Sequence, residues 1–71
     1  MTIDEFMAVM NVGGTHIIVK RDWRKQLYDA FINLDRIMFV PISPIFSGHT
    51  EKAALKKLKD WYYWEARNAN R

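Results

Sequence analysis

Apolar side chains near the N-terminus recur every three or four residues, which is the spacing of one face of an α-helix. These side chains are Ile3, Phe6, Met7 and Met10. Thr2 is a suitable N-cap for such a helix, and Asp4 and Glu5 would lie in its first turn, where carboxylates stabilise the positive end of the helix dipole. The pattern therefore predicts a short helix over residues 2–11.

Residues 15–21 are dense in β-branched side chains, which favours a strand. Side chains alternate between the two faces of a strand. The faces would be His16, Ile18 and Lys20 on one side and Ile17, Val19 and Arg21 on the other. Because apolar side chains occur on both faces, we expect at least part of this strand to be covered on both sides.

Residues 22–38 fit two different structures. As a helix capped by Asp22, they would gather their apolar side chains within a sector of roughly 120° at 100° per residue. These side chains are Trp23, Leu27, Ala30, Phe31, Leu34, Ile37 and Met38. Periodicity alone favours this helix, which would place Trp23 in the core.

The second structure is a hairpin, in which residues 22–25 form a turn and residues 26–33 pair with the preceding strand. Trp23 would then be an exposed turn residue. One face of the second strand would carry Tyr28, Ala30 and Ile32. A strand cannot satisfy its backbone hydrogen bonds alone, so the presence of the first strand favours the hairpin.

Two prolines determine what the next segment can form. Pro41 and Pro44 exclude a regular helix, and they exclude a central strand beyond Val40. We therefore expect residues 37–40 to pair as a strand and residues 41–46 to run extended along an edge.

The clearest element is a long C-terminal helix over residues 49–71, capped by Thr50 or Ser47. Its apolar side chains cluster within roughly 140° on a helical wheel. They are Ala54, Leu55, Leu58, Trp61, Tyr62 and Ala66.

Together these elements predict one α+β domain over residues 1–71. An N-terminal helix precedes a small antiparallel sheet from residues 15–40, and the long C-terminal helix packs on that sheet. The alternative is a mainly helical domain in which residues 22–38 form the middle helix.

Length and composition limit what this domain can be. A chain of 71 residues has a thin core, since it buries roughly 60% of its unfolded surface. It contains no cysteine, which excludes disulfides and thiolate metal sites. Its apolar runs are too short to cross a bilayer, and its first residues do not resemble a signal peptide. We therefore expect a cytoplasmic protein without a membrane partner.

Positive charge is concentrated in the last third of the chain. The formal net charge is +3, and residues 49–71 hold six bases against three acids, whereas the charges of residues 1–48 cancel. On the C-terminal helix, four basic residues share a sector with Tyr63, opposite the apolar sector, and Trp64 points to a third side. The four basic residues, named here the basic stripe, are Lys52, Lys56, Lys59 and Arg67.

The aromatic pair beside the basic stripe has three interpretations. Tyr63 and Trp64 could lie half-exposed against lysine stems, as is common in a small domain. They could anchor a protein contact, since Trp, Tyr and Arg dominate binding hot spots. The basic stripe could also hold phosphates while a ring stacks on a base.

The sequence contains no recognisable catalytic or metal-binding pattern. His16 and His49 lie far apart and in no metal-ligand spacing. Ser43 lies between two prolines and has no neighbouring base that could activate it as a nucleophile. We therefore expect no enzyme activity, no metal and no cofactor.

Four short segments of residues 2–46 follow one another along the chain. They are TIDEF at residues 2–6, THIIVK at 15–20, LYDA at 27–30 and IMFVPISP at 37–44. In this order the chain resembles short accessory proteins of phages and prophages of Gram-positive bacteria, in which an N-terminal helix precedes an antiparallel sheet. The basic aromatic helix after Phe46 departs from that pattern. The resemblance implies a sheet and supplies no site residues.

Proteins of this kind commonly bind host enzymes, including defence nucleases. The resemblance thus implies a non-enzymatic protein-binding module, a phage-encoded inhibitor or modulator of a host protein in the manner of an anti-CRISPR protein. The positive charge disfavours mimicry of DNA. We expect Tyr63 and Trp64 to be the anchors and the basic stripe to face an acidic partner. The alternatives are a nucleic-acid-binding protein that uses the same helix and a homodimer joined through it.

Overall fold

The computed structural model describes residues 2–12 and 14–69, except for the side chains of Val12 and of residues 67–69. Its elements are α1 (Ile3–Val12), β1 (His16–Asp22), β2 (Leu27–Asn33), β3 (Phe46–Gly48) and α2 (Glu51–Ala69). The strands form an antiparallel sheet in the order β1-β2-β3. The predicted α+β class, with a helix before the sheet and a long helix after it, is confirmed.

β1 and β2 form a hairpin, so the alternative of a middle helix over residues 22–38 is wrong. Val19 lies opposite Ala30, and Arg21 lies opposite Tyr28. Pairing prevails over the helical periodicity because β1 needs partners for its backbone groups, and β2 lies beside the whole of β1 and bonds to every second residue of it.

The turn between these strands is stabilised by Asp22. Its Oδ1 accepts hydrogen bonds from the backbone N–H groups of Arg24 (2.9 Å) and Lys25 (3.4 Å). Such a local side-chain bond favours a turn over a continuing helix. Gln26 completes the reversal in the left-handed region, with a φ of 55°. Trp23 is 77% exposed at the tip, as expected for the hairpin.

The third strand lies later in the chain than predicted. Residues 37–40 do not pair as a strand and belong to a loop. β3 has only three residues, and its Phe46 lies opposite Ala30 of β2. The reason is the pair of prolines, which lack the N–H that a regular ladder requires, so regular pairing begins only after Pro44.

Both helices begin at predicted capping residues. The Thr2 hydroxyl oxygen accepts a hydrogen bond from the Glu5 N–H at 3.1 Å. The Thr50 hydroxyl oxygen accepts one from the Ala53 N–H, also at 3.1 Å. These bonds satisfy donors that have no partner inside the helix, and they place the helix starts within two residues of prediction.

The two helices pack on the same face of the sheet. The buried residues between them are Phe6, Met10, Ala30, Ile32, Ala54, Leu55 and Leu58. Partly buried side chains surround them: Ile3, Met7, Ile17, Val19, Tyr28, Phe46, Trp61 and Tyr62. The predicted apolar faces of both helices are thereby confirmed, except that Ala66 is exposed.

The opposite face of the sheet, named here the open face, points away from both helices. Its residues are His16, Ile18, Lys20 and Asp22 on β1, Leu27, Asp29, Phe31 and Asn33 on β2, and Ser47 on β3. The segment of residues 34–45, the β2–β3 loop, covers part of it. Phe31 of β2 is only 1% exposed as a result. On β1, Ile17 and Val19 pack against the core and Ile18 on the open face is half-buried, so the expectation that part of this strand is covered on both sides is confirmed.

Candidate protein interface

The β2–β3 loop exposes most of the large apolar side chains found on the surface. Of the ten such residues that are exposed in the described part of the chain, seven belong to this loop. They are Leu34, Ile37, Met38, Phe39, Val40, Ile42 and Ile45. Ile37 is 90% exposed and Met38 is 67% exposed. Such a concentration on a small domain is typical of a surface that contacts another molecule.

The side chain of Asn33 anchors the backbone of the β2–β3 loop by hydrogen bonds. Asn33 is the last residue of β2 and is buried. Its Oδ1 accepts a hydrogen bond from the Val40 N–H at 2.7 Å, and its Nδ2 donates to the Met38 carbonyl at 2.8 Å. Nδ2 also donates to the Asp35 carbonyl. One buried amide therefore supplies hydrogen bonds that a neighbouring strand would otherwise supply.

Asp35 stabilises the first turn of the loop. Its Oδ1 accepts hydrogen bonds from the N–H groups of Ile37 (2.6 Å) and Met38 (3.1 Å). These bonds favour the ionised carboxylate and hold the pKa of Asp35 below its ordinary value. The pKa of Asp22 in the hairpin turn is lowered in the same way, chiefly by the hydrogen bond from the Arg24 N–H.

The returning half of the loop is hydrogen-bonded to β2 and to Leu34, the residue that follows β2. The Leu34 N–H donates to the Val40 carbonyl, and the Ile42 N–H donates to the Ile32 carbonyl, both at 2.9 Å. The Ile32 N–H donates to the Ser43 hydroxyl oxygen at 2.8 Å. A side chain thus replaces the backbone acceptor at the irregular part of this edge. The exposed side chains consequently stand on a backbone that is tied to the sheet at both ends.

Phe39 folds back over the open face and closes a shallow pocket. Its ring meets Phe31 edge-on, with the centroids 5.5 Å apart and the planes at 80°. Lys20 Nζ lies 5.7 Å from the Phe31 centroid and 5.5 Å from the Phe39 centroid, within the range of cation–π attraction. The pocket has a volume of about 260 Å³ and is bordered by Ile18 and Met38.

A second, wider hollow of about 520 Å³ adjoins the first at Lys20. It lies between Trp23 of the hairpin turn and Ile45 of the loop. Asp29 also lines it, and its buried carboxylate accepts a hydrogen bond from the Ser47 hydroxyl at 2.6 Å. Because Lys20 borders both hollows, they form one continuous surface along the open face.

The exposed tryptophan at the hairpin tip is supported by an arginine. The guanidinium carbon of Arg21 lies 4.8 Å from the Trp23 ring centroid and 5.2 Å from the Tyr28 centroid. Within the described residues, the buried Arg21 Nε has no hydrogen-bond partner. The stacking orders Trp23 at the tip of the hairpin.

The predicted aromatic anchors on α2 have different environments. Tyr63 is half-buried, with its ring centroid 6.5 Å from that of Phe6 and 5.7 Å from that of Tyr62. Tyr63 therefore helps to join α2 to α1, and most of its ring is not available as a free anchor. Trp64 is 62% exposed and remains available.

Only part of the basic stripe is exposed to solvent. Lys52 and Lys56 are exposed, and Lys59 is half-buried. The side chain of Arg67 lies outside the described residues. Lys57, beside the stripe, donates a hydrogen bond to the Ser47 carbonyl at 2.6 Å. The structure therefore brings Lys52, Lys56 and Trp64 onto exposed α2 surface but does not join them to the β2–β3 loop.

The described residues contain no group of three or more histidine or carboxylate side chains placed to hold a metal ion. His16 lies on β1, and His49 precedes α2. Neither α1 nor α2, over the residues described, combines the length and apolar character needed to cross a membrane.

Sequence reasoning missed the β2–β3 loop as a contact surface. The signal that could have found it is the apolar run IMFVPISPI at residues 37–45. Two prolines prevent such a run from being buried as a regular helix or central strand, so part of its apolar surface has to remain exposed.

The chain matches no protein-family model, no curated protein and no solved structure.

Proposed function

We propose that this chain is a non-enzymatic protein-binding module whose contact surface is the β2–β3 loop together with the open face. The observation that carries this proposal is the set of seven exposed large apolar side chains on a loop tied down by Asn33. Apolar side chains on an ordered backbone favour association, because little conformational freedom is lost when a partner covers them.

The charges around the loop favour an acidic partner. Lys20 and Arg36 are exposed beside the apolar side chains, and Arg24 is exposed at the hairpin tip. The carboxylates of Asp29 and Asp35 are instead engaged in hydrogen bonds within the protein. A partner that covers the apolar residues and brings carboxylates to their rim would therefore meet complementary charge.

The partner in this proposal is a host protein, such as a defence nuclease, which a phage-encoded chain inhibits or modulates in the bacterial cytoplasm. The support for this origin is the resemblance of residues 2–46 to short phage and prophage accessory proteins. Trp64, Lys52 and Lys56 of α2 form a second, smaller contact in the same proposal.

Affinity capture from a lysate of a Gram-positive bacterium, with matched variants as baits, tests the proposal. The loop variant combines Ile37→Ser with Met38→Ser, which removes two exposed side chains and keeps the N–H groups that bind Asp35. Val9→Ser is the control for loss of apolar surface elsewhere, since Val9 is 49% exposed on α1. Trp64→Ala tests the α2 contact.

We expect one protein to be retained by the wild type and by the Val9 variant. Its retention should fall by about tenfold or more with the loop variant, which corresponds to about 1.4 kcal/mol. Circular dichroism confirms that the variants are folded. If Trp64→Ala removes the partner and the loop variant does not, the contact surface is α2 and the loop proposal is wrong.

Nuclease treatment of half of the lysate separates the nucleic-acid alternative from the protein one. Equal retention in both halves supports a protein partner. Loss of every captured component after nuclease treatment would instead favour nucleic acid, bound by the exposed lysines of the basic stripe.

A further inference from the structure

Within the part of the chain that the structure describes, β1 leaves one edge of the sheet unpaired. It is the first strand in the order β1-β2-β3, so β2 is its neighbour on one side only. In such an edge strand, the N–H and C=O groups of alternate residues point away from the sheet. Among the described residues, no hydrogen bond reaches these outward groups.

The hydrogen bonds of Ile32 identify the outward residues. Its N–H and C=O bond to Ser43 and Ile42, which lie on the β3 side. Ile32 lies opposite Ile17. This pair therefore exchanges no hydrogen bonds, and the outward groups of β1 belong to Ile17 and to every second residue after it. The outward residues are Ile17, Val19 and Arg21.

The two edges of the sheet are protected very differently. β3 has three residues, and Pro41 and Pro44 precede it, which discourages the addition of another strand. β1 has seven residues without proline, and it pairs with β2 residue for residue, without a bulge. A regular, β-branched edge of this length is a template for a further strand.

We propose that β1 pairs with β1 of a second copy of this chain, antiparallel about a two-fold axis at Val19. Antiparallel strands exchange hydrogen bonds between residues whose groups point at each other. With Val19 opposite its own copy, Ile17 lies opposite Arg21 of the second copy. All three outward residues are then paired, whereas any other register leaves at least one of them without a partner.

The same register brings compatible side chains together. Ile18 lies opposite Lys20 of the second copy, so the two lysines do not face each other. His16 lies opposite Asp22 of the second copy, which places an imidazole donor beside a carboxylate. In this register every outward residue of β1 is paired and the facing side chains are compatible. Because β1 itself meets both conditions, a second copy of the chain is favoured over an unrelated strand.

Pairing of this kind has two consequences. It buries an exposed edge in a chain whose core is thin. Because the two-fold axis is perpendicular to the sheet, the open faces of both copies lie on the same side. The two β2–β3 loops then form a bivalent surface, although the pairing itself does not depend on the proposed function.

Disulfide cross-linking tests the register, because the chain contains no cysteine. Ile18 and Lys20 of opposite copies would form a non-hydrogen-bonded pair with Cα atoms about 4.5 Å apart, which suits a disulfide. An equimolar mixture of Ile18→Cys and Lys20→Cys should therefore give a covalent dimer under mild oxidation. Each variant alone should stay largely uncross-linked, because its cysteines in the two copies lie at diagonal positions of the strand pair, about 7–8 Å apart.

Sedimentation velocity supplies an independent measurement on the native chain, for which we expect a concentration-dependent dimer. A synthetic chain with N-methyl-Val19 removes the central outward donor and keeps the side chain. N-methyl-Ser47 is the matched control, because its N–H points outward at the opposite edge. We expect the Val19 modification to raise the dimer dissociation constant at least tenfold and the Ser47 modification to leave it unchanged.

Three outcomes would overturn this proposal. If the native chain is monomeric at every concentration, β1 does not pair with a second copy. A dimer that survives N-methylation of Val19 uses a different surface, such as the aromatic face of α2. Cross-linking of either single variant in place of the mixture requires a different register.

Discussion

The backbone N–H of Val40 donates a hydrogen bond of 2.7 Å to the side-chain oxygen of Asn33. The same buried amide donates to the carbonyl of Met38. A side chain at the end of a central strand thereby determines the conformation of the exposed apolar loop, although that loop makes little regular pairing of its own.

Replacing Asn33 with alanine should therefore loosen the loop and destabilise the protein. The N–H of Val40 and the carbonyl of Met38 lose their partner, which costs about 1–3 kcal/mol where the groups are shielded from water. Urea unfolding measures the change in the free energy of unfolding. Asn11→Ala, at an exposed position on α1, is the control and should stay within about 0.5 kcal/mol of the wild type. Equal effects of the two changes would contradict the anchoring role of Asn33.

The protein should lose stability in acid as Asp35 becomes protonated. Its pKa in the folded chain lies below the ordinary value of 3.8 because the Ile37 and Met38 N–H groups bind the carboxylate. Its contribution is therefore complete above pH 3.8 and is lost as the pH falls through the lower folded pKa. Asp22, whose pKa is also lowered, acts in the same pH range and in the same direction.

Thermal unfolding between about pH 2 and 6 measures this dependence. Asp35→Asn keeps a side-chain acceptor but cannot titrate, so its melting temperature should change less with pH than that of the wild type. If the melting temperature of this variant falls with decreasing pH as steeply as that of the wild type, Asp35 does not contribute to the loss of stability in acid.

A side chain at Gly48 should destabilise the protein. A Cβ atom at this position would lie 2.8 Å from the Ala54 nitrogen and 2.9 Å from the Ala53 Cβ. Gly48→Ala therefore requires α2 to shift away from β3, and we expect a loss of about 1–3 kcal/mol in the free energy of unfolding. Chemical denaturation checks the value.

Gly14 provides the contrast, because its φ is +83° and a Cβ there would meet nothing within 4 Å. The cost at Gly14 is conformational, so asparagine should be tolerated better than alanine. At Gly48 asparagine should be worse than alanine, since the limit is space. The same order of variants at both positions would contradict this distinction.

Gln26→Gly should stabilise the hairpin. Gln26 has a φ of 55°, a conformation that costs a residue with a Cβ atom about 1 kcal/mol relative to glycine. We expect the free energy of unfolding to rise by about 0.5–1 kcal/mol, measured by urea titration. Gln26→Val should have the opposite effect, because a β-branched side chain is disfavoured in this region. A destabilised glycine variant would show that the side chain of Gln26 makes a contribution of its own.

Local chemistry was enough to predict much of the fold. The caps at Thr2 and Thr50 and the apolar spacing of both helices depend on residues a few positions apart. The alternation along the hairpin also follows from neighbouring residues. Choosing the hairpin over a middle helix needed one further argument, that a strand requires a partner, because the periodicity alone favoured the helix.

The sequence by itself thus determined the two helices, the first strand and the residues on each of their faces, and it left residues 22–38 open between a hairpin strand and a middle helix, which the tertiary structure decided for the hairpin. Only the tertiary structure decided that the third strand starts after Pro44, and that residues 37–40 stand exposed above the open face. It also decided that Tyr63 packs against Phe6 while Trp64 stays exposed. The physical reason is that these outcomes depend on contacts between distant segments, such as the bonds from Asn33 to the β2–β3 loop, which no local pattern encodes.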